Sequence, residues 1–255
     1  MRLKAWDDLP NEMRCDAVKP YYLILCKKKA SIIAKRLFDA VVSLIMLAVL
    51  SPLFLILSIA IKLDSPGPVF FRQERITQYG KRFRIFKFRT MVVNAEQIGT
   101  QVTISNDMRV TKVGKLIRKC RLDEISQLID ILRGTMSFVG TRPEVQKYVS
   151  RYTPKMLATL LLPAGVTSEA SIRFKDEERL LAGVDDVDEA YVSNVLPNKM
   201  DYNLWAVANF SFLRDIKTMI WTVFAVFKRE RVALAFKAEE AFEKSLKNIE
   251  GKRTI

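Results

Sequence analysis

Between Ala40 and Ile61 the chain reads AVVSLIMLAVLSPLFLILSIAI without a single charged residue. A bilayer-crossing helix needs about 20 predominantly apolar residues, and soluble core helices seldom go this far without a charge. The run starts too late, lasts too long and lacks the small-residue cleavage site of a signal peptide. Ser51 and Pro52 interrupt its middle. Proline removes a backbone donor and crowds the carbonyl four residues earlier, and a serine hydroxyl can satisfy a carbonyl freed in that way. Basic residues flank both ends: Lys27, Lys28, Lys29, Lys35 and Arg36 before it, and Lys62, Arg72, Arg75, Lys81, Arg82, Arg84, Lys87 and Arg89 after it. Positive charge stays on the cytoplasmic side, so a plain span would set one cluster against that rule. A helix that enters, breaks at Ser51-Pro52 and returns satisfies both flanks. The pattern predicts a re-entrant helix–break–helix over residues 35–62.

Beyond it the periodicity changes. Asp64 to Pro68 is a turn cluster, after which Val69–Phe71 and Arg82–Phe88 alternate bulky and basic residues. That pattern reads as strands or as a lipid-interface segment. Residues 109–133 read as helical, with Leu122, Ile125, Ile129 and Leu132 on one face. Residues 134–143 read as a glycine-rich loop, and 176–200 as an acidic, soluble stretch. Asn209–Phe227 mixes apolar residues with Arg214, Asp215 and Lys217, which suits a helix lying on the membrane surface rather than crossing it. From Lys228 onward a charged, solvated helix is expected.

Charge and composition narrow the chemistry. With 42 Lys+Arg against 28 Asp+Glu the net charge is +14, which favours anionic partners such as acidic headgroups or phosphorylated substrates. The chain contains no histidine. Ser-His-Asp and Cys-His catalysis and His-ligated zinc are therefore excluded, and a divalent ion would be a hard one held by oxygen. Cys15, Cys26 and Cys120 are far apart and odd in number, which supports neither a disulfide framework nor a zinc ribbon and points to a reducing, cytoplasmic face. Neither a P-loop nor a Rossmann fingerprint occurs, and no nucleic-acid module is present.

Basic residues recur at Arg109, Lys112, Lys115, Arg118 and Arg121, and the acidic pair Asp123-Glu124 follows. On a helix these two carboxylates point about 100° apart, so one can face a phosphorus centre while the other ligates a metal. An adjacent Asp-Glu is usually a solvated surface feature. The weight shifts because Gly134, Ser137, Gly140 and Thr141 form a loop whose N–H groups could approach phosphate, and Arg142 follows with a guanidinium suited to bidentate phosphate binding. Arg118, just over a helical turn before the pair, is the candidate among the upstream cations. Together these residues suggest phosphoryl transfer.

At these residues the chain resembles the bacterial sugar transferases, the monotopic phosphoglycosyl transferases. The resemblance rests on Lys35, Arg36 and Asp39; on Ser51-Pro52; on Ser65–Val69 with Gln73–Arg75; and on Phe83 with Lys87–Met91. It continues through Asp107–Thr111, Gly114–Arg118, Leu122–Glu124 with Gln127 and Leu128, and Gly134 to Pro143, with a fainter echo at Gly165–Thr167 and Ala170–Phe174. These motifs occur in order over about residues 35–181. The resemblance implies a re-entrant membrane helix broken at Ser51-Pro52 with both ends cytoplasmic. It also implies a two-step reaction in which Asp123 attacks the β-phosphate of a UDP-sugar, expels UMP, and passes the phosphosugar to a polyprenyl (undecaprenyl) phosphate. By the same resemblance Glu124 is the Mg²⁺-binding glutamate, and Arg118 and Arg142 contact phosphate and nucleotide. Two departures stand out: Ile125-Ser126 where the family usually has Leu-Pro, and Thr141 where it has Pro. Neither removes a reactive group.

The fold expected is therefore α/β and helix-rich, a monotopic membrane enzyme on the cytoplasmic face of the bacterial inner membrane. Its divisions are an N-terminal extension (1–34), the re-entrant helix (35–62), a catalytic domain with interfacial helices (63–227) and a charged tail (228–255). The expected partners are a UDP-sugar, a polyprenyl phosphate, membrane lipids and Mg²⁺, with no nucleic acid. The rival is a non-catalytic, membrane-tethered basic protein that binds acidic lipid or nucleic acid. It accounts for the charge and the apolar run but not for the ordered motifs. An inactive relative serving as a scaffold is a further alternative, against which the intact Asp123-Glu124 pair argues.

Overall fold

A computed structural model describes residues 3–95, 107–174 and 186–227. The charged tail from Lys228 and residues 175–185 of the acidic stretch lie outside this set. Helix α1 (Lys19–Cys26) is followed by α2 (Lys29–Asp64), whose 36 residues contain the whole apolar run. It ends because Ser65 is extended and Pro66 follows, a pairing that disfavours further helix. At 1.5 Å per residue α2 would measure about 54 Å if straight, well beyond the roughly 30 Å of a hydrocarbon core.

Helical bonding is continuous through Pro52 rather than split into two helices by non-helical residues. The Ala48 carbonyl, which a normal residue at 52 would engage, instead accepts the Ser51 hydroxyl at 2.8 Å. The serine thus fills the place of the donor that proline removed.

The two faces of α2 differ. Ile32, Lys35, Asp39, Ser43, Leu57 and Ile61 are buried against the rest of the chain. Leu37, Val41, Leu44, Ile45, Val49, Leu55, Ile56, Ile59 and Leu63 recur at helical spacing on the other face and are exposed. Their exposure in water would be costly, at roughly 25 cal/mol per Å² of apolar surface. Lipid removes that cost. Both ends of α2 are fastened to the same body. Near its start the Arg36 guanidinium donates to the carbonyls of Ile131 and Leu132 at 2.7 and 2.8 Å, and the Lys35 ammonium contacts Asp215 at 2.5 Å and the Val139 carbonyl at 2.9 Å. At its end the Asp64 carboxylate accepts the Val113 N–H at 2.9 Å.

The turn at Asp64–Pro68 leads into an antiparallel hairpin, β1 (Phe70–Ile76) and β2 (Arg82–Phe88), in register from Phe70↔Phe88 to Ile76↔Arg82. The strand reading of the alternating segment therefore holds. Helix α3 (Lys112–Lys119) is capped by the Thr111 hydroxyl, which accepts the Gly114 N–H at 3.0 Å. Arg121 then adopts a left-handed backbone (φ 56), Leu122–Gln127 forms a 3₁₀ turn, and α4 (Leu128–Arg133) resumes. The single helix expected over 109–133 is corrected here. The break rotates the apolar face, so Leu128 and Ile131 are buried where the uninterrupted period pointed to Ile129 and Leu132.

The glycine-rich segment also differs from its reading as one loop. Gly134 ends α4 with φ 81, and β3 (Met136–Val139) pairs in parallel with β4 (Ala164–Thr167). A Cβ on Gly165 would lie 2.1 Å from the Gly140 nitrogen, so these glycines let two backbones touch. The Gly134 and Gly140 N–H groups are already committed to the carbonyls of Ile131 and Thr167, and Ser137 is buried. They do not form a phosphate cradle.

Helix α5 (Glu169–Arg173) follows β4, then α6 (Leu196–Ala208) and α7 (Phe212–Phe227). Residues before α2 join the largest apolar cluster: Leu9, Met13, Val18, Tyr22 and Leu25 pack with Ile32, Ile76, Tyr79, Leu161, Leu204 and Phe210. On α7, Leu213, Ile220, Val223 and Phe224 are exposed, while Asp215 turns inward to Lys35.

The Gly140–Gly165 contact yields a test. Gly165→Ala drives a methyl into backbone that cannot yield as a side chain does, so it should destabilise by at least about 1–3 kcal/mol. Thermal unfolding checks this; an unchanged midpoint would show that the two strands are not held this close.

Candidate active site

The 3₁₀ turn Leu122–Gln127 carries the acidic pair and lies against β2. Leu122 and Ile125 anchor it in an apolar cluster with Phe88, Ile117, Leu57 and Ile61, so the turn rests on both α2 and the hairpin. Successive residues of a 3₁₀ turn project about 120° apart, which separates Asp123 from Glu124 more than an α-helix would.

Glu124 is held by two cations on one oxygen. Its Oε1 accepts the Lys87 ammonium at 3.0 Å and an Arg142 terminal nitrogen at 2.7 Å. Burial alone would raise this carboxyl, but the Arg142 and Lys87 charges outweigh it and hold it well below its ordinary value of 4.5. Asp123 has the opposite bias. Burial first, and then the Glu124 charge, push it up, with Lys87 and Arg118 opposing. Among the described residues no side-chain hydrogen bond holds the Asp123 carboxylate.

Lys87 reaches this point because β2 alternates. Phe83, Ile85 and Lys87 share one face, Arg84, Phe86 and Phe88 the other. Burial lowers the Lys87 ammonium and the Glu124 charge resists that shift. Arg142 is placed by a loop tied on several sides. Gly165 N–H donates to the Thr141 carbonyl at 2.9 Å, Ile76 N–H to the Glu144 carbonyl at 2.9 Å, and Arg75 to the Pro143 carbonyl at 3.3 Å. Beneath the loop, buried Glu144 accepts the Tyr191 hydroxyl at 2.6 Å, with the Lys199 ammonium 3.6 Å away.

Of the residues singled out from sequence, Glu124 and Arg142 are in direct contact and Asp123 is next to them. Arg118 lies within electrostatic reach of Asp123 but is fixed elsewhere, its Nε donating to the Thr90 hydroxyl at 2.8 Å. It does not sit one helical turn before the pair, since the Arg121 break intervenes. Arg109 is engaged with Asp107, Nε to Oδ1 at 2.9 Å. Ser51 and Pro52 lie within α2. Lys87, Thr90, Glu144, Tyr191 and Lys199 were not singled out. For Lys87 a signal exists: a lysine on the strand face otherwise occupied by Phe83 and Ile85.

For a metal, the described residues contain no group of three or more Asp, Glu, His or Cys that could hold an ion by themselves. Mg²⁺ needs less protein than that, since it commonly takes one or two carboxylates together with substrate phosphates and water. Lys87 and Arg142 both contact Oε1 of Glu124, so Oε2 is the oxygen of this carboxylate that could hold such an ion.

The family model described as bacterial sugar transferase matches residues 30–229. The chain belongs to the bacterial sugar transferase family. It is 32% identical over 200 residues to the uncharacterized sugar transferase EpsL of Bacillus subtilis (strain 168), covering 78% of this chain and 90% of that protein. It is 34% identical over 192 residues to a UDP-N-acetylgalactosamine-undecaprenyl-phosphate N-acetylgalactosaminephosphotransferase of Aeromonas hydrophila, and 34% identical over 198 residues to a UDP-glucose:undecaprenyl-phosphate glucose-1-phosphate transferase of Escherichia coli (strain K12). These matches take in 74% and 76% of this chain but 42% and 40% of the relatives, so the chain spans about two-fifths of their length. In this bacterial sugar transferase the acidic pair rests on an apolar platform and the Arg142 loop reaches it through the Arg142–Glu124 ion pair.

The Glu124 ion triad has a pH signature. A depressed carboxylate contributes its full stability above its ordinary value, and that stability fades as pH falls through its folded value. Glu124→Gln should lower neutral-pH stability by roughly 1–3 kcal/mol and flatten the loss of stability below about pH 4.5. Unfolding midpoints across pH 3–8 (roughly the accessible range) would show it; parallel wild-type and variant curves would remove the electrostatic role.

Proposed function

We propose that this bacterial sugar transferase moves a sugar-1-phosphate from a UDP-sugar to a polyprenyl phosphate such as undecaprenyl phosphate. UMP is released, and the product starts assembly of a glycoconjugate at the cytoplasmic face of the inner membrane. The observation that carries this reading is the division of labour in the acidic pair. Glu124 is fixed by Lys87 and Arg142, while among the described residues the adjacent Asp123 carboxylate has no side-chain hydrogen-bond partner and remains available for attack. The names of the Aeromonas and Escherichia relatives, with UDP-sugar donors and undecaprenyl-phosphate acceptors, support the substrate classes.

In the first step an Asp123 carboxylate oxygen bonds to the sugar-bearing β-phosphorus as the bond to the bridging oxygen breaks. UMP leaves with that electron pair, and an aspartyl-phosphosugar remains. In the second step an oxygen of the polyprenyl phosphate attacks the same phosphorus, returning Asp123 as a carboxylate and giving a polyprenyl diphosphosugar. Carboxylate nucleophiles split a hard displacement into two easier ones. Lys87, Arg118 and Arg142 offset charge on the transferring group, which stabilises such transition states. Glu124 would hold Mg²⁺, which when bound neutralises diphosphate charge. Without lipid acceptor, UMP release should stop at roughly one equivalent, with a sugar-phosphate adduct on the Asp123 peptide by mass spectrometry. Asp123→Asn should abolish adduct and turnover, and Asp123→Glu should lose about a hundredfold or more through displacement of the attacking oxygen. UMP release that requires both substrates, with no adduct, would favour direct displacement and demote Asp123 to a base.

We further propose that α2 is re-entrant. Its start and its end are both bonded to the body that carries Asp123, which a full crossing of the bilayer would place on opposite sides. Exposed apolar residues of α7 would lie at the same membrane surface. In a chain whose native cysteines are replaced by serine, Lys29→Cys and Lys62→Cys should both react with an impermeant thiol reagent only from the cytoplasmic side. Labelling of one from each side would establish a plain span.

A further inference from the structure

A second grouping of like charges lies on the hairpin face turned away from Lys87. The register sets Arg72 across from Phe86 and Glu74 across from Arg84, and alternation places Arg82 on this face as well. The Arg72 guanidinium carbon stands 3.4 Å from the Phe86 ring centroid, and the Arg133 guanidinium, from the end of α4, approaches the same ring at 5.0 Å. Arg72 and Arg84 each donate to the other's carbonyl, at 2.6 and 3.2 Å. Two guanidiniums on one ring repel each other unless something negative intervenes.

The carboxylates nearby do not supply enough. Exposed Glu74 pairs with Arg82 at 3.3 Å. Buried Asp130 accepts the Phe86 N–H at 2.8 Å and favours the Arg72 cation, while the Arg133 and Arg84 charges disfavour it. Arg72, Arg82, Arg84 and Arg133 against Glu74 and Asp130 leave an excess of two positive charges. The Arg72 Nε is also buried without a hydrogen-bond partner among the described residues. Guanidinium forks of this kind match the oxygens of a phosphate group.

Position identifies where that phosphate comes from. Phe83 and Ile85, on the Lys87 face, pack with Leu47 and Leu50 midway along α2, so the arginine face is the one turned away from the middle of that helix. On the other side, Gly134 abuts the Arg36 guanidinium, so a Cβ there would lie 3.2 Å from it. Arg133, next to Gly134, therefore stands beside the basic start of α2, which on the re-entrant reading is where the helix passes the lipid headgroups. We propose that Arg72, Arg84 and Arg133 form a docking site for the phosphate of an anionic phospholipid headgroup. Because Lys87 and the acidic pair lie on the opposite face of the hairpin, this phosphate is not the one that reacts. The site does not depend on the Asp123 chemistry.

The test uses the full chain in uncharged detergent micelles, followed by thermal unfolding. Phosphatidylglycerol should raise the midpoint saturably, whereas phosphatidylcholine with the same acyl chains and inorganic phosphate should not. Arg84→Gln with Arg133→Gln removes two exposed charges and should demand roughly 25-fold more phosphatidylglycerol for the same rise, about fivefold per arginine. Should the double variant unfold without lipid at a much lower temperature, Arg133→Glu alone, at an exposed helix end, carries the same test. Lys115→Gln with Lys119→Gln removes equal charge from exposed positions of α3 and should respond as wild type. Asp123→Asn should also respond as wild type, which separates this inference from the catalytic one. An equal rise with inorganic phosphate would overturn the headgroup assignment. An unchanged response in the arginine variants, or an equal loss in the lysine variant, would overturn the site.

Discussion

One carboxylate oxygen organises this molecule. Oε1 of Glu124 accepts from Lys87 on β2 and from Arg142 on the loop after β3, which joins three segments distant in sequence at one point. Lys87 would not remain comfortably in so enclosed a place alone, since burial disfavours its charged form. It is retained because the other partners are there, and Glu124 keeps its charge for the same reason. The consequence for Asp123 is indirect but decisive: its neighbour takes up the nearest cations, and the Asp123 carboxylate stays unclaimed. On the proposed reading, chemistry at Asp123 therefore rests on an ion triad that does not include it.

That triad stands on α2. The turn bearing Asp123 and Glu124 shares an apolar cluster with Leu57 and Ile61, and the hairpin bearing Lys87 shares another with Leu47 and Leu50. The membrane helix is thus a structural wall of the site as well as an anchor. A buried pair, Lys35 and Asp215, ties the same helix to α7, and such a pair is costly to break by losing one partner even where its net contribution is small. On the proposed reading this coupling has a purpose. The acceptor's phosphate sits at the lipid boundary while the donor nucleotide is water-soluble, so the attacking carboxylate has to be held at a fixed height relative to lipid.

What the sequence revealed followed from local rules. The apolar run, the alternation of β2, and the serine that serves the carbonyl abandoned by Pro52 were all legible, because each depends on one residue type and its near neighbours. The break at Arg121 was not. A left-handed backbone is signalled by glycine or asparagine, and arginine gives no such sign, so the helical period was carried through a place where the chain turns. The glycines of 134–143 misled for a related reason. Glycine marks close approach of backbone to something, and composition alone does not distinguish a phosphate from Gly165 on a neighbouring strand. The Glu144–Tyr191–Lys199 group required tertiary contacts that no spacing encodes.

The hairpin shows how one alternating segment serves two electrostatic ends. R-F-R-I-F-K-F reads as a basic, aromatic strip, yet the pleat sorts its cations onto opposite sides. Lys87 faces inward, where Glu124 answers it. Arg82 and Arg84 face outward beside Arg72 and Arg133, where the protein supplies too little negative charge. A strand two residues out of phase would leave this sorting intact, whereas a slip of one residue would bring Phe86 or Phe88 to Glu124 and strip the triad of a cation. Register is what the Phe70–Phe86 and Phe70–Phe88 ring contacts, at 5.5 and 5.1 Å, help to enforce. Aromatic packing at one end of the hairpin thereby fixes which side of the strand carries Lys87 toward Glu124 and which carries the arginines outward.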